Sequence, residues 1–261
     1  MGRRLGQHFL FDPAILDRIV HALDPQPDDH VIEIGPGKGT LTERLAPLVG
    51  RVVAIERDEA LAAALDRSGI EHCRVVSGDA LEIDWPAALA RRGQPTSYKV
   101  AGNIPYAITT PLIDKALSDP LPTVTVFLVQ KEVGDRLAAA PGSKTYGALS
   151  VGVQAAAAVE RLFTVRAGSF RPPPKVDSVV VRLTPLSDPL VTSAERAPFR
   201  RFVTALFGER RKQLLRALRI VTGIDADALQ GTLGQVGLDP RDRPEVLTPG
   251  EFAGLFRAVR R

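Results

Sequence analysis

Val31-Ile32-Glu33-Ile34-Gly35-Pro36-Gly37-Lys38-Gly39-Thr40-Leu41 is an apolar strand that runs through three alternating glycines into the start of a helix. Glycines at such a turn let the backbone bend sharply and let a ligand approach the C-terminal edge of a parallel sheet beside a helix N-terminus. Taken alone, the loop is also what any tight strand-to-helix turn requires. Carboxylates at the ends of the next two strands make the ligand reading stronger. Glu56 lies 21 residues beyond Gly35, where it can accept from ribose hydroxyls, and Asp79 in Gly78-Asp79-Ala80 can accept from an adenine amino group. A dinucleotide fingerprint spaces its third glycine differently, and Lys38 is followed by Gly39 rather than the Ser or Thr of a phosphate loop. An adenosine ligand without a pyrophosphate fits best, which points to S-adenosyl-L-methionine.

Outward from this stretch, apolar runs at 30–34, 51–55, 72–77, 98–102 and 123–129 alternate with helical patterns at about 40–48, 58–67, 85–92 and 109–118. That alternation predicts βαβ units around a parallel sheet. A helix is expected over 131–139 and another through about 155. Two apolar runs near 158–165 and 176–184 have no helix between them and predict a closing antiparallel hairpin, for seven strands in all. Asp12-Pro13 followed by Ile15, Leu16, Ile19, Val20 and Leu23 reads as an N-cap, a first-turn proline and an amphipathic helix. The preceding Leu5-Gly6-Gln7-His8-Phe9-Leu10 fits neither helix nor strand, and its apolar content predicts that it folds over something. Beyond a linker at Pro185–Pro189 the pattern is helical only, at 195–207, 210–219, 225–236 and 249–259. The expected division is therefore 1–187 and 188–261.

A second stretch carries chemistry. Val100-Ala101-Gly102-Asn103-Ile104-Pro105-Tyr106 sets an amide, a proline and an aromatic at a strand end. The Asn103 side chain can accept from an exocyclic amine, Pro105 fixes φ and lacks an N–H, and Tyr106 offers a flat face, a set suited to a planar base bearing an amino group. A proline turn followed by a core tyrosine is the plainer alternative.

The 44% hydrophobic content of the 261 residues supports a sizeable core. Cys73 is the single cysteine, and no apolar stretch is long enough for a signal peptide or a membrane span, so a cytoplasmic protein is expected. Charge is uneven. Residues 1–187 balance, whereas 188–261 hold 13 Lys and Arg against 9 Asp and Glu and so account for the whole net charge of +4. A basic tail favours a polyanionic partner.

The motifs together resemble the ribosomal RNA adenine N6-dimethyltransferases. The resemblance rests on Glu33-x-Gly35-x-Gly37-x-Gly39, Glu56, Gly78-Asp79-Ala80 and Asn103-Ile104-Pro105-Tyr106. It continues through Gln130-Lys131-Glu132-Val133, the loop from Pro141 to Ser150, Phe170-Arg171-Pro172-Pro173-Pro174-Lys175-Val176-Asp177-Ser178 and Arg210-Arg211-Lys212-x-Leu214, with Leu5-Gly6-Gln7-x-Phe9-Leu10 at the start. It implies a Rossmann-like class I methyltransferase fold, α/β with a seven-stranded mostly parallel sheet and a small C-terminal helical domain. It implies dimethylation of adenines, two adjacent adenosines among them, in the RNA of the small ribosomal subunit during ribosome biogenesis. On that resemblance Gln7, His8, Leu10, Gly35, Gly37, Glu56, Asp79, Ala80 and Asn103 fall at the methyl donor. Asn103, Ile104, Pro105 and Tyr106 fall at the target adenine, with Phe170 facing the base from its other side. Arg171, Lys175, Arg200, Arg201, Arg210, Arg211 and Lys212 are the candidate RNA contacts. His8 stands where the family often has asparagine; it can donate to the donor's carboxylate, and its protonation near neutral pH would make donor affinity pH-dependent. A monomer is the default expectation. Two alternatives share these motifs: a large-subunit RNA methyltransferase that confers antibiotic resistance, and a non-catalytic RNA-binding assembly or transcription factor on the same fold.

Overall fold

The computed structural model describes residues 7–90 and 97–260. Leu5 and Gly6 of the N-terminal motif, and residues 91–92 at the end of the expected helix 85–92, lie outside them. The chain forms two compact units, Met1–Gly134 with Glu160–Pro185, and Asp135–Val159 with Leu186–Arg261.

The first unit opens with a short strand, β1 (Phe9–Leu10), and helix α1 (Pro13–Leu23). Asp12 caps α1 by accepting from the backbone N–H groups of Ala14 and Ile15, with Pro13 in the first turn. Strand β2 (His30–Ile34), α2 (Thr42–Leu45), β3 (Arg51–Glu56), α3 (Glu59–Arg67), β4 (Cys73–Ser77), α4 (Trp85–Leu89), β5 (Lys99–Asn103), α5 (Thr109–Ala116) and β6 (Val124–Gln130) then follow as alternating units. After α6 (Lys131–Leu137) and α7 (Ala148–Gln154) come β7 (Ala157–Val165), β8 (Phe170–Arg171) and β9 (Ser178–Pro185). The sheet has seven strands in the order β4-β3-β2-β5-β6-β9-β7; β4 through β6 are parallel and β9 runs antiparallel to β6. The seven strands and their mostly parallel arrangement are the expected ones.

Both faces of the central strands are apolar because helices cover both. Val31, Val52, Ala54, Val126, Leu128 and Val180 pack with Leu16, Ile19 and Leu23 of α1 and Leu45 of α2. Val53, Ile55, Phe127, Val179 and Val181 alternate with these along the same strands and are equally buried. The strand order reverses between β2 and β5, the place where parallel α/β sheets open a crevice beyond their carboxyl ends. Gly102 lets these two strands close there, since an added Cβ would lie 2.5 Å from the carbonyl oxygen of Ile34.

A second, two-stranded ribbon pairs β1 with β8 antiparallel, Phe9 opposite Arg171 and Leu10 opposite Phe170. The N-terminal segment, expected to be neither helix nor strand, is a strand because its partner lies some 160 residues away in the chain.

The second unit is helical: α7, α8 (Ser193–Gly208), α9 (Leu214–Thr222), α10 (Ala226–Gln235) and α11 (Pro249–Ala258). Phe199, Val203, Leu206, Leu214, Leu218, Leu229, Leu233, Phe252 and Phe256 form its core with Tyr146, Val151 and Ala155. Tyr146 donates its hydroxyl to Leu247 O (2.8 Å), and burial pushes that hydroxyl's pKa well above its ordinary value. Residues 135–159 thus pack with the helical tail, so the expected boundary near 187 marks only one of the chain's crossings between units. The helix expected over 210–219 begins at Leu214; Arg210, Arg211 and Lys212 occupy the turn that ends α8, where Lys212 N–H donates to Glu209 O.

Gly102→Ala should destabilise the sheet unit by about 1–3 kcal/mol, the usual cost of forcing a methyl into a packed interior. Thermal unfolding followed by circular dichroism should show a transition several degrees lower, with the helical unit's transition unmoved.

Candidate active site

An open cleft lies at the C-terminal ends of β2, β3 and β5. Its floor is the glycine turn. Gly35, Gly37 and Gly39 all adopt positive φ (67°, 58° and 82°), the left-handed region that costs glycine nothing. A Cβ on Gly37 would also strike the Phe9 ring, at 2.9 Å. Glu56, at the end of β3, accepts from Gly37 N–H (3.0 Å) and Asp58 N–H (2.9 Å) through its two carboxylate oxygens. It holds the turn in shape while keeping lone pairs for a further donor.

The opposite wall comes from β5. Asn103 donates its side-chain amide to His8 O (2.8 Å), which leaves Oδ1 as the acceptor. Ile104 is buried and donates its N–H to Leu128 O, fixing the chain ahead of the exposed Pro105. Tyr106 shares a hydrogen bond with Ser178 Oγ (2.9 Å), and its ring centroid stands 6.0 Å from that of His8. Gln7, His8, Phe9 and Leu10 complete the lining.

Most of the sequence-predicted residues therefore meet in one place: Gln7, His8, Leu10, Gly35, Gly37, Glu56, Asn103, Ile104, Pro105 and Tyr106 all line the cleft. Others do not. Asp79 accepts from Leu81 N–H (2.9 Å) and lies 3.5 Å from Arg57 Nη1, and neither it nor the buried Ala80 reaches the lining. Phe170, expected to face a bound base, is only 2% exposed and packs in the core with Leu10. The two residues are cross-strand partners on the buried face of the ribbon, where Leu10 also reaches the cleft lining and Phe170 does not.

His8 is tied to the loop that follows β8. Its Nδ1 lies 2.8 Å from Pro172 O, an acceptor, so Nδ1 carries the proton. Neutral His8 then presents a lone pair at Nε2 and donates to a carboxylate there only as the imidazolium. Of the basic candidates, Arg171 and Lys175 are exposed on the first unit, and Arg200, Arg201, Arg210 and Arg211 are exposed on the second. Lys212 is partly covered and ion-paired with Glu209.

Two residues gained importance only in three dimensions. Lys115 on α5 donates to Leu81 O (2.8 Å) and Ile83 O (2.6 Å), clamping the loop that carries Asp79. Glu33, 2% exposed, lines the cleft with Oε2 unpartnered. Burial raises its pKa from 4.5 to about 7, and the nearby Glu56 charge adds to the rise. Strand alternation marks Glu33: it shares the helix-covered face with Val31, where a charged residue is out of place.

The sign of that shift is testable. Below pH 4.5 the carboxyl is protonated in folded and unfolded chains alike. Between there and pH 7 the unfolded chain gives up the proton first, so stability falls as pH rises. In urea titrations at pH 5 and pH 8, Glu33→Gln should lose roughly 2–3 kcal/mol less over that interval than the native protein.

The comparisons with known proteins agree with this geometry. A family model described as ribosomal RNA adenine dimethylase matches residues 2–256. A protein named ribosomal RNA small subunit methyltransferase A from Geobacter metallireducens is 44% identical, over 98% of this chain and 94% of its own. One of the same name from Acidithiobacillus ferrooxidans is 43% identical, with 98% and 94% covered. Among solved structures, a dimethyladenosine transferase from Plasmodium falciparum superposes with a TM-score of 0.79 at 28% identity, covering 95% of this chain and 96% of that one. The 23S rRNA methyltransferase ErmE superposes with a TM-score of 0.74 at 25% identity, covering 97% and 100%. The chain belongs to the ribosomal RNA adenine dimethylase family.

Proposed function

We propose that this protein dimethylates N6 of adenines, two adjacent adenosines among them, in small-subunit ribosomal RNA, with S-adenosyl-L-methionine as methyl donor. The observation that carries the reading is Asn103, held by the His8 carbonyl with Oδ1 left to accept, beside Pro105 and Tyr106 at the mouth of a glycine-floored cleft. Relatives that cover nearly the whole chain bear the small-subunit name, which favours that RNA over the large-subunit alternative. In the same reading the protein acts as a monomer in the cytoplasm.

The cleft fits the donor. The turn at Gly35 and Gly37 gives a backbone surface that a side chain would obstruct, Glu56 offers acceptors for ribose hydroxyls, and Glu33 supplies a buried acceptor without a partner. Gln7, His8 and Leu10 line it opposite the turn. Asp79 and Ala80, outside that lining on the loop that Lys115 holds, would have to be met by the donor's adenine beyond the cleft. The donor, when bound, supplies a sulfonium methyl that is already activated. What remains for the chain is placement. Asn103 Oδ1 and the Ile104 carbonyl would accept hydrogen bonds from the two N–H groups of the adenine amine, one of them remaining for the second round, and turn its lone pair toward the methyl. Tyr106, anchored through its hydroxyl to Ser178, provides the face on which the unstacked base rests. The methylated amine is acidic enough to give its proton to solvent, so no strong general base is needed. Phe170 backs the wall from within the core rather than touching the base. Arg171, Lys175, Arg200, Arg201, Arg210, Arg211 and Lys212 supply phosphate contacts.

Methyl transfer from labelled donor to undermethylated small subunits, to large subunits and to free RNA tests this. Label should appear on small-subunit adenines and fall about 100-fold with Asn103→Ala, the scale on which one misplaced polar group affects a positioned reaction. Transfer to large subunits alone would overturn the choice of RNA, and donor binding with no transfer to any of the three would favour a binding factor.

A further inference from the structure

The inner face of the β1·β8 ribbon is spent on the core, where Leu10 lies opposite Phe170. Its outer face has no such employment. Residues alternate along extended chains, so Phe9, Phe11 and Arg171 share that face. The ribbon continues past Leu10, since Phe11 N–H donates to Ser169 O (3.2 Å). Phe11 is 43% exposed, and the Arg171 guanidinium stacks over its ring at 4.7 Å from the centroid. Two residues back toward the cleft, the Lys38 ammonium stands 5.3 Å from the centroid of Phe9, which itself lines the cleft. Two aromatic residues, each with a cation at its ring, thus sit two positions apart, about 7 Å along the strand backbone, on the face that leads out of the cleft.

The electrostatics of this face are positive. Lys38 and Arg171 stand on it, and both oxygens of the neighbouring Asp12 are engaged: Oδ1 caps α1 and Oδ2 accepts from Ser169 Oγ. Lys175 is exposed further along the same proline-rich loop, and His8 ties that loop down through Pro172 O. An exposed ring with a planar cation on it suits an unpaired base, which gains from stacking on either, while the cation faces a phosphate. Neither an acidic peptide nor a lipid surface makes comparable use of two rings held at a fixed spacing.

We propose that the Phe11–Arg171 pair is a binding site for a single-stranded nucleotide that flanks the target adenine, with its base stacked on the pair and its phosphate directed at Arg171. The site extends the RNA reading above and holds the strand while the adenine enters the cleft. Phe9, nearer the donor, belongs to the cleft; Phe11 has no part in it.

Two measurements on the full chain separate this proposal from the reading it rests on. The first is quenching of a short single-stranded RNA carrying 2-aminopurine, without methyl donor. The native protein should quench it, Phe11→Trp should retain the quench, and Phe11→Ala and Arg171→Ala should weaken binding by about 5- to 100-fold, the range one stacked base contributes. The second is steady-state methylation of undermethylated small subunits. Phe11→Ala should raise KM for the particle by a similar factor while KM for the donor and the thermal midpoint stay at native values. Quenching by the native protein that Phe11→Ala abolishes, with no methylation of any RNA, would sink the function and keep the site. Full methylation with RNA affinity and particle KM unchanged in both alanine variants would overturn the site and keep the function. A rise in donor KM equal to the rise in particle KM would also overturn it, since Phe11 would then act through the cleft.

Discussion

The parallel pairing of β2 with β5 is the constraint on which the rest depends. It brings the Ile34–Gly35 strand end beside Gly102–Asn103, and the absence of a side chain at Gly102 lets the two backbones close. Every group in the cleft is placed relative to that seam: the positive-φ glycines follow β2, the Asn103 amide and Tyr106 follow β5, and Glu56 braces the turn from the neighbouring strand. The helices on both faces keep the strands parallel and buried, so the site sits on rigid elements rather than on free loops.

The seam leaves one wall open, and the chain closes it with its own beginning. The segment from Gln7 to Leu10 has little helical or strand character of its own; it is ordered by the ladder to Phe170 and Arg171 and by the Asn103 amide on His8 O. The same bond orients Asn103, so the cover over the donor side and the acceptor at the adenine side are one structure. Glu33 lies beneath both as a buried, incompletely partnered carboxyl, a cost that the sheet tolerates where a ligand is to be held.

Much of this was legible in the sequence. Alternating apolar runs and helical periods specified the seven strands because each run is bounded by a turn or cap with its own chemistry, such as Asp12-Pro13 or Gly35 to Gly39. The cleft residues were legible where they follow strand ends, since topology alone brings those ends together. What escaped depended on long-range partners. Phe170 has the motif of a base contact, yet its inward face is decided by register with Leu10, which no local pattern reveals. The attachment of 135–159 to the helical unit rests on Tyr146 and Val151 meeting side chains beyond residue 190. Nothing local in the sequence marks Lys115, which α5 sets against the Leu81 and Ile83 carbonyls. Arg210 to Lys212 carried helical periodicity, but the end of α8 made them a turn.

The ladder that closes the cleft also has a kinetic meaning. His8 and Pro172 are 164 positions apart, so closing their contact costs less chain entropy once the strands between them have paired. During synthesis the sheet can assemble from β2 to β6 while the N-terminal segment still has nothing to pair with. The wall over the cleft is anchored only when residues 170–172 have emerged and docked, which makes ligand competence one of the last properties this unit acquires as it folds.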